Sequence, residues 1–307
     1  MLISSYFKAN ELKFQKSSKH HQPIRSSQTY TFISCLQKNI PKSLYPNPNN
    51  LFSICCQGKL DFFVFELAKF QNPVQALQTV NKDGNTCLML AIIFDYLDIV
   101  TYILETYKVN IHLVNHNGDD ILSLSIKYQR VYIFEYLLKF GFDINQKNLL
   151  GESPLHIAIK YNNLSIIQLL LLCDANIDEL NEKGQSALIL SILYNNDFIT
   201  LFLIGNEANL DLFDNFSQNA LYYAIIYDKI NILLYLVEND VNLDVRYVNN
   251  NTALIVAVLN QSVNCIRFLL EYDKLAKSKI NDNGENALYI AMKYNYENIL
   301  QIFNSIK

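Results

Sequence analysis

The sequence predicts an all-α solenoid of stacked helix-turn-helix units joined by short hairpin-like loops. Three observations predict it. A turn residue recurs every 33 or 34 positions from Gly84 to Gly284. Each recurrence opens the same pattern of capping residue, leucine and small residue, so the period belongs to one supersecondary unit rather than to composition. Half of the 307 residues are hydrophobic, enough to bury a continuous core.

The turn column is Gly84, Gly118, Gly151, Gly184, Ser217, Asn250 and Gly284. Two residues later stand Thr86, Asp120, Ser153, Ser186, Asn219, Thr252 and Asn286, all good helix N-caps because their side-chain oxygen accepts a free N–H of the first turn. Two further on every unit has leucine: Leu88, Leu122, Leu155, Leu188, Leu221, Leu254 and Leu288. Three beyond that every residue is small: Ala91, Ser125, Ala158, Ser191, Ala224, Ala257 and Ala291. Positions i and i+3 share a helix face, so the leucine fills a core and the small residue admits a neighbouring helix. A second apolar helix follows, as in "VYIFEYLLKF" and "LSIIQLLLL". The linker after it has its own register, Asn110, Asp143, Asn176, Asn209 and Asn242, where short polar side chains bond nearby backbone. A single unit of this kind cannot bury its apolar face, whereas stacked units can.

The unit "GESPLHIAIKYNNLSIIQLLLLCDANIDELNEKG" resembles an ankyrin repeat, close to its T-P-L-H-x-A signature and 33-residue period. Here Ser153, Pro154, Leu155, His156 and Ala158 carry the motif. The other units read "TCLMLAI", "DILSLSI", "SALILSI", "NALYYAI", "TALIVAV" and "NALYIAM", keeping the leucine and the small residue without the Pro-Leu-His. The resemblance implies an array over 47–307, with units near 47–80, 81–114, 115–147, 148–180, 181–213, 214–246, 247–280 and 281–307. The first is degenerate: Leu51 takes the leucine place, Leu60 opens its second helix, and an insertion is needed near "QNPVQ".

Residues 1–46 carry seven basic residues against Glu11 alone, a net +6, so the remainder of a chain of net charge −4 carries −10. The tail shows no phase, and its polar composition predicts disorder. A secretory signal is not expected, since no apolar h-region follows the start; a mitochondrial presequence is an alternative to a cytoplasmic location. Six cysteines without a CxxC pair suit free thiols in a reducing compartment. No uninterrupted apolar run approaches the roughly 20 residues of a membrane helix, so no membrane span is expected. An acidic body argues against a broad nucleic-acid surface.

Ser153, His156 and Tyr161 lie within nine residues and raise the question of a nucleophilic site. Such a site also needs an orienting acid and an oxyanion hole. The resemblance instead makes Ser153 the helix cap and His156 a bridge to the neighbouring loop. His112 and His116 have helical metal-ligand spacing but lie on a linker and a turn, so no metal is assigned. The row Asp178, Asp211 and Asp244 is expected to cap loops. No Gly-rich phosphate loop, paired catalytic acids or Cys–His dyad is visible. No catalysis and no cofactor are expected.

One column remains unexplained by the core: Phe94, Tyr128, Tyr161, Tyr194, Tyr227, Asn260 and Tyr294, at the end of the first helix. In ankyrin-like arrays this position and the hairpin residues, here including Leu149, Leu150 and Phe216, face the concave groove that binds partners. Aromatic rings serve recognition and packing alike, so both readings stand. The expected function is a non-enzymatic scaffold or adaptor holding another protein. The alternatives are a substrate-recruiting subunit of an enzyme complex, such as a ubiquitin ligase, and a host-directed effector.

Overall fold

The computed structural model describes residues 48–148 and 150–305. The expectations for the basic tail, residues 1–46, fall outside the described residues. Within them the chain is helical, with seventeen α-helices and only isolated β-bridges in three of its loops.

Each repeat begins where the chain reverses with a residue at positive φ: Gly84 at 79°, Gly118 at 77°, Gly151 at 66°, Gly184 at 73° and Gly284 at 71°, with Ser217 and Asn250 in the same place at 59° and 58°. Glycine adopts this region without steric cost. At Gly184 there is a second reason, since a Cβ would sit 2.8 Å from the backbone nitrogen of Asn215 in the next hairpin. The hairpins are closed by an Asx side chain three residues before the turn. Asn81, Asn115, Asn181, Asp214 and Asn281 each accept two backbone N–H groups, two and four residues on, with their Oδ1.

The first helices of the repeats are α4 (Cys87–Ile93), α6 (Ile121–Lys127), α8 (Pro154–Lys160), α10 (Ala187–Leu193), α12 (Ala220–Ile226), α14 (Ala253–Leu259) and α16 (Ala287–Lys293). Six of the seven caps accept the N–H of the third helical residue through the side chain, as the column of N-capping residues predicts. The small-residue column is fully buried in all seven. The leucine column is buried in the first six and half-buried at Leu288.

All seven first helices end alike. The residue after the C-cap takes φ between 50° and 67°, and it is never glycine: Asp95, Gln129, Asn162, Asn195, Asp228, Gln261 and Asn295. The next residue returns its N–H to the carbonyl of the small residue, as from Asn163 to Ala158 at 2.9 Å and from Lys229 to Ala224 at 2.9 Å. This pattern closes the orphan carbonyls of a helix end and reverses the chain within two residues. Five of the seven are Asn or Asp, at 95, 162, 195, 228 and 295, where the short polar side chain tolerates the left-handed region.

The second helices follow: α5 (Leu97–Thr106), α7 (Val131–Leu137), α9 (Leu164–Leu172), α11 (Asp197–Gly205), α13 (Ile230–Glu238), α15 (Val263–Tyr272) and α17 (Glu297–Ser305). Before them stand α1 (Pro48–Cys55) and α2 (Leu60–Leu67), with Leu51 fully buried. The segment "QNPVQ" is not a plain insertion: Asn72 caps a short extra helix, α3 (Pro73–Leu77), with proline at its first position.

The described residues group into two compact units. One takes the chain to Asn148 together with Gln168–Asp174; the other takes 150–167 and the chain from Ala175. In the first unit α1, α4 and α6 pack in one layer and α2, α5 and α7 in another. In the second, α8, α10, α12, α14 and α16 form one layer and α11, α13, α15 and α17 the other. The core of each lies between its layers and is built from the leucine and small-residue columns.

Candidate functional site

The Ser153–His156 pair is a structural joint. Both side chains are buried, with His156 only 1% exposed. The Ser153 backbone N–H donates to Nδ1 of His156 at 3.1 Å, and the Ser153 hydroxyl lies 2.7 Å from the same nitrogen. With Nδ1 accepting, Nε2 carries the proton and donates to the carbonyl oxygen of Gln185 in the next hairpin at 3.1 Å. The ring therefore ties one repeat to the next, with both ring nitrogens and the Ser153 hydroxyl engaged.

The linker carboxylates act in the same way. Asp178 accepts the N–H of Asn209 at 2.8 Å and Asp211 that of Asn242 at 3.2 Å, each in the following repeat. Asp244 takes the Lys279 ammonium at 2.6 Å. The ring of His112 packs on Phe142 at 5.6 Å between centroids. Among the described residues no three His, Cys, Asp or Glu side chains come together to hold a metal.

The aromatic column occupies the C-cap of six of the seven first helices, and Asn260 takes that place in α14. Phe94 and Tyr128 belong to the first unit, and Tyr161, Tyr194, Tyr227 and Tyr294 to the second. Tyr161 is half-buried, while Tyr194 and Tyr227 are 47% and 50% exposed. Several rings rest on a neighbour within their own repeat: Phe94 stacks on Tyr96 at 6.2 Å, Tyr227 on Tyr223 at 6.5 Å and Tyr294 on Tyr296 at 5.8 Å. One face of each of these rings is packed and much of the rest stays open. Of the hairpin candidates, Phe216 is 65% exposed and Leu150 is also exposed; Leu149 lies outside the described residues.

Two features of this face were not drawn from the sequence. The first is a pair of positions one and nine residues after the turn. They form ion pairs between Lys127 and Asp119 at 2.9 Å, Lys160 and Glu152 at 3.1 Å, and Lys293 and Glu285 at 2.7 Å. The bond brings the hairpin base against the last turn of the first helix. In Lys160 burial opposes the charged form, yet the Glu152 carboxylate more than offsets it and holds the ammonium above its ordinary range. The second is a shallow, solvent-open cleft in the second unit. Tyr222, Tyr247, Val248, Asn251, Leu259 and Asn260 line it, so a hairpin tip and the C-cap column meet in one depression. The Tyr222 and Tyr247 rings pack at 5.0 Å, and the Tyr247 hydroxyl donates to Asn219 Oδ1 at 2.9 Å. The signal for both lay in the repeat itself: the two pair positions change charge together, and Tyr247, Asn250 and Asn260 all depart from their columns in one repeat.

The family profile for ankyrin repeats matches residues 107–181, 155–247 and 239–305, and the single-repeat profile matches 83–116. A search of curated protein sequences returns no match. Among solved structures, the ankyrin repeat domain of Bcl-3, a member of the IkappaB protein family, superposes with a TM-score of 0.63 at 23% sequence identity. The alignment covers 71% of this chain and 97% of that one. At this identity the likeness speaks to the fold.

Proposed function

The chain belongs to the ankyrin-repeat family, whose repeats generally mediate protein–protein interaction, and we propose that it is a non-enzymatic scaffold that holds a partner protein on the face shared by its hairpins and first helices. The observation that carries this reading is the C-cap column. Its rings are anchored on one side, by Tyr223 under Tyr227 and Tyr296 beside Tyr294, and half-open on the other. Rigid, amphipathic tyrosines bury a large area at low entropic cost, which suits recognition. The cleft between Val248 and Leu259 supports the same face, because it gives a partner side chain a concave seat.

The chemistry of the histidine, serine and carboxylates gives no support to catalysis, since each is engaged in joining repeats. Among the described residues no helix is long and apolar enough to cross a membrane. The five described cysteines are free thiols, which supports placing the protein in the cytoplasm.

Affinity capture from cells, comparing the parent chain with Tyr161→Ala and Tyr194→Ala, tests the reading. Each substitution should weaken partner binding by about 2 kcal/mol, because central aromatics carry most interface energy. Melting should move little. If affinity and melting fall together for both, the rings are packing elements and the recognition role is lost.

A further inference from the structure

The first described helix pair leaves an apolar seat open. Four residues past the positive-φ residue of the inter-helix turn stand Ile99 and Ile133 in the first unit and Ile232 and Ile299 in the second. All four are 2% exposed or less. The same step from Gly58 reaches Phe62 on α2, which is 61% exposed. The last described repeat shows which neighbour does the covering. Ile299 stays buried although no described helix follows α17, so the preceding second helix covers this position. The adjacent position behaves in the opposite way: Val100 and Leu233 are fully buried, and Leu300 is half-buried. Phe63, its equivalent on α2, is fully buried under α5 and the core. Phe62 is therefore a covered position without its covering helix. Phe65, one turn along the same side, is 47% exposed.

Charged groups border the two rings. Lys59 Nζ lies 5.5 Å from the centre of the Phe62 ring and Lys69 Nζ 4.8 Å from that of Phe65. Lys69 also pairs with Glu66 at 2.6 Å, and Asp61 is exposed next to Phe62. Lysine stems can lie along an apolar neighbour while their heads stay in water, so they do not close the seat. The chain preceding α1 carries one segment that fits it. The tail is mostly polar, but Phe32, Ile33, Leu36 and Ile40 recur at i, i+1, i+4 and i+8. On a helix these fall within an arc of roughly 100°, with Ser34 and Lys38 on the opposite side. Thr31 suits an N-cap before them and Pro41 a stop after them.

We propose that residues 32–40 of this same chain dock as a helix on Phe62 and Phe65 and cover the open side of α2, with Phe32, Ile33, Leu36 and Ile40 turned to the two rings. The tether allows it. Eight residues from Ile40 to Pro48 reach up to roughly 29 Å. The path along α1 needs roughly 12 Å, and one step between packed helices roughly 8–10 Å. A short tether holds its segment at millimolar effective concentration, which a second copy or a free partner at micromolar levels does not match. A solenoid also needs a polar outer face on its terminal unit, and the side bearing Ser34 and Lys38 supplies one. This goes beyond the partner-binding role and stands without it.

Hydrogen exchange of the full chain, read by mass spectrometry at two protein concentrations about tenfold apart, tests it. A helix of this length is not stable alone in water, so protection of its amides reports docking. The amides of residues 34–40 should exchange at least tenfold more slowly than their intrinsic rates, equally at both concentrations. Phe62→Asp with Phe65→Asp should return them to those rates while α5 and α7 keep their protection, because both rings are exposed in the array as it stands. If that variant loosens α5, Phe32→Asp with Leu36→Asp decides instead: it should free residues 34–40 and speed exchange in α2. Lys38→Gln, on the opposite side, should change neither segment. Unprotected residues 34–40 overturn the inference, as does protection that survives both double variants or is lost equally in Lys38→Gln. Protection that appears only at the higher concentration also overturns it and gives the seat to a second copy.

Discussion

The sharpest prediction concerns His156, because its role can be costed from its partners. Replacing it by alanine removes the acceptor of the buried Ser153 N–H and the donor to Gln185. The Gln185 carbonyl keeps the N–H of Asn181 at 3.0 Å, so it is not orphaned. The Ser153 hydroxyl can turn to the third residue of its helix, as Ser186 and Thr252 do at 3.3 and 3.2 Å. One buried N–H is left unpaired, at about 1–3 kcal/mol. The vacated ring adds a cavity, which brings the total to about 2–4 kcal/mol.

Isoleucine at the same position should do less harm. Ile189 and Ile255 hold the equivalent place in their repeats and are fully buried. His156→Ile keeps most of the volume and loses only the bonds, so about 1–2 kcal/mol is expected. Urea unfolding followed by far-UV circular dichroism measures both. With a slope of about 2 kcal/mol/M, the alanine variant should lower the midpoint by about 1–2 M and isoleucine by half that or less. An unchanged slope shows that the array still unfolds as one body; a reduced slope would mark uncoupled repeats, and the free energies would then be compared repeat by repeat. Equal losses for the two variants would refute the volume argument. Loss of partner capture in His156→Ala without any shift in midpoint would refute the structural role altogether.

Three further outcomes follow from the same geometry. Leu155→Ala and Leu188→Ala should each cost about 2–5 kcal/mol in unfolding free energy, because both open a cavity in a fully packed layer, and Leu288→Ala should cost less because that leucine is half-buried; equal losses at all three would contradict the layer assignment. Gly184→Ala should lower the melting temperature, since the new Cβ meets the Asn215 backbone 2.8 Å away at φ 73°, whereas alanine at Gly141, where φ is 71° and the Cβ would meet nothing, suffers the conformational strain alone; calorimetry of the two should rank them in that order. Burial, then the bond to the Asp214 carboxylate, raises the Tyr223 phenol above its ordinary value of 10, and burial followed by the Asp211 carboxylate raises Tyr247. Their neutral forms stabilise the fold fully below pH 10, and that contribution is lost as pH rises above it while only the unfolded chain ionises. Tyr247→Phe should flatten the alkaline fall in stability between pH 10 and 12, and an unaltered slope there would dismiss the effect.

The parts of the fold that repeat within one unit were legible in the sequence. Thr86 to Asn286 read as caps because capping needs only a side-chain oxygen two residues past the turn, and the structure places that oxygen on the predicted N–H in six of seven helices. The leucine and small columns read as core because both sit on one helical face, where a neighbour's approach dictates size. What depends on contact between successive repeats was harder to see. The Asp178–Asn209 and Asp211–Asn242 bonds join residues 31 apart, so the acidic row looked like a local feature. The short helix Pro73–Leu77 was hidden because five residues carry no periodicity. The ion pairs of the first-helix ends span eight residues, two turns of helix plus the hairpin base, which is neither the i+3 nor the i+4 spacing that reading a helix surface suggests.

Packing fixes some positions of each repeat and leaves others open. Leucine, the small residue and the capping position are fixed by packing, and a change at any of them costs stability whatever the partner. The closing turn fixes the C-cap as well: the positive-φ residue and the return bond from Asn163 to Ala158, or from Lys229 to Ala224, set the backbone direction at Tyr161 and Tyr227 independently of the ring they carry. The positions left free are the pair one and nine residues after the turn, the hairpin tip, and the side chain at the C-cap. These hold Gln218, Ile226, Phe216 and Tyr227 in one repeat and Asn251, Leu259, Val248 and Asn260 in the next. Their variation is tolerated by the fold, so the alternation of ion pair and neutral pair is a property of the surface rather than of the core. Five of them, Gln218, Val248, Asn251, Leu259 and Asn260, line the cleft of the second unit, so a change there alters the surface without opening a cavity in the layers beneath.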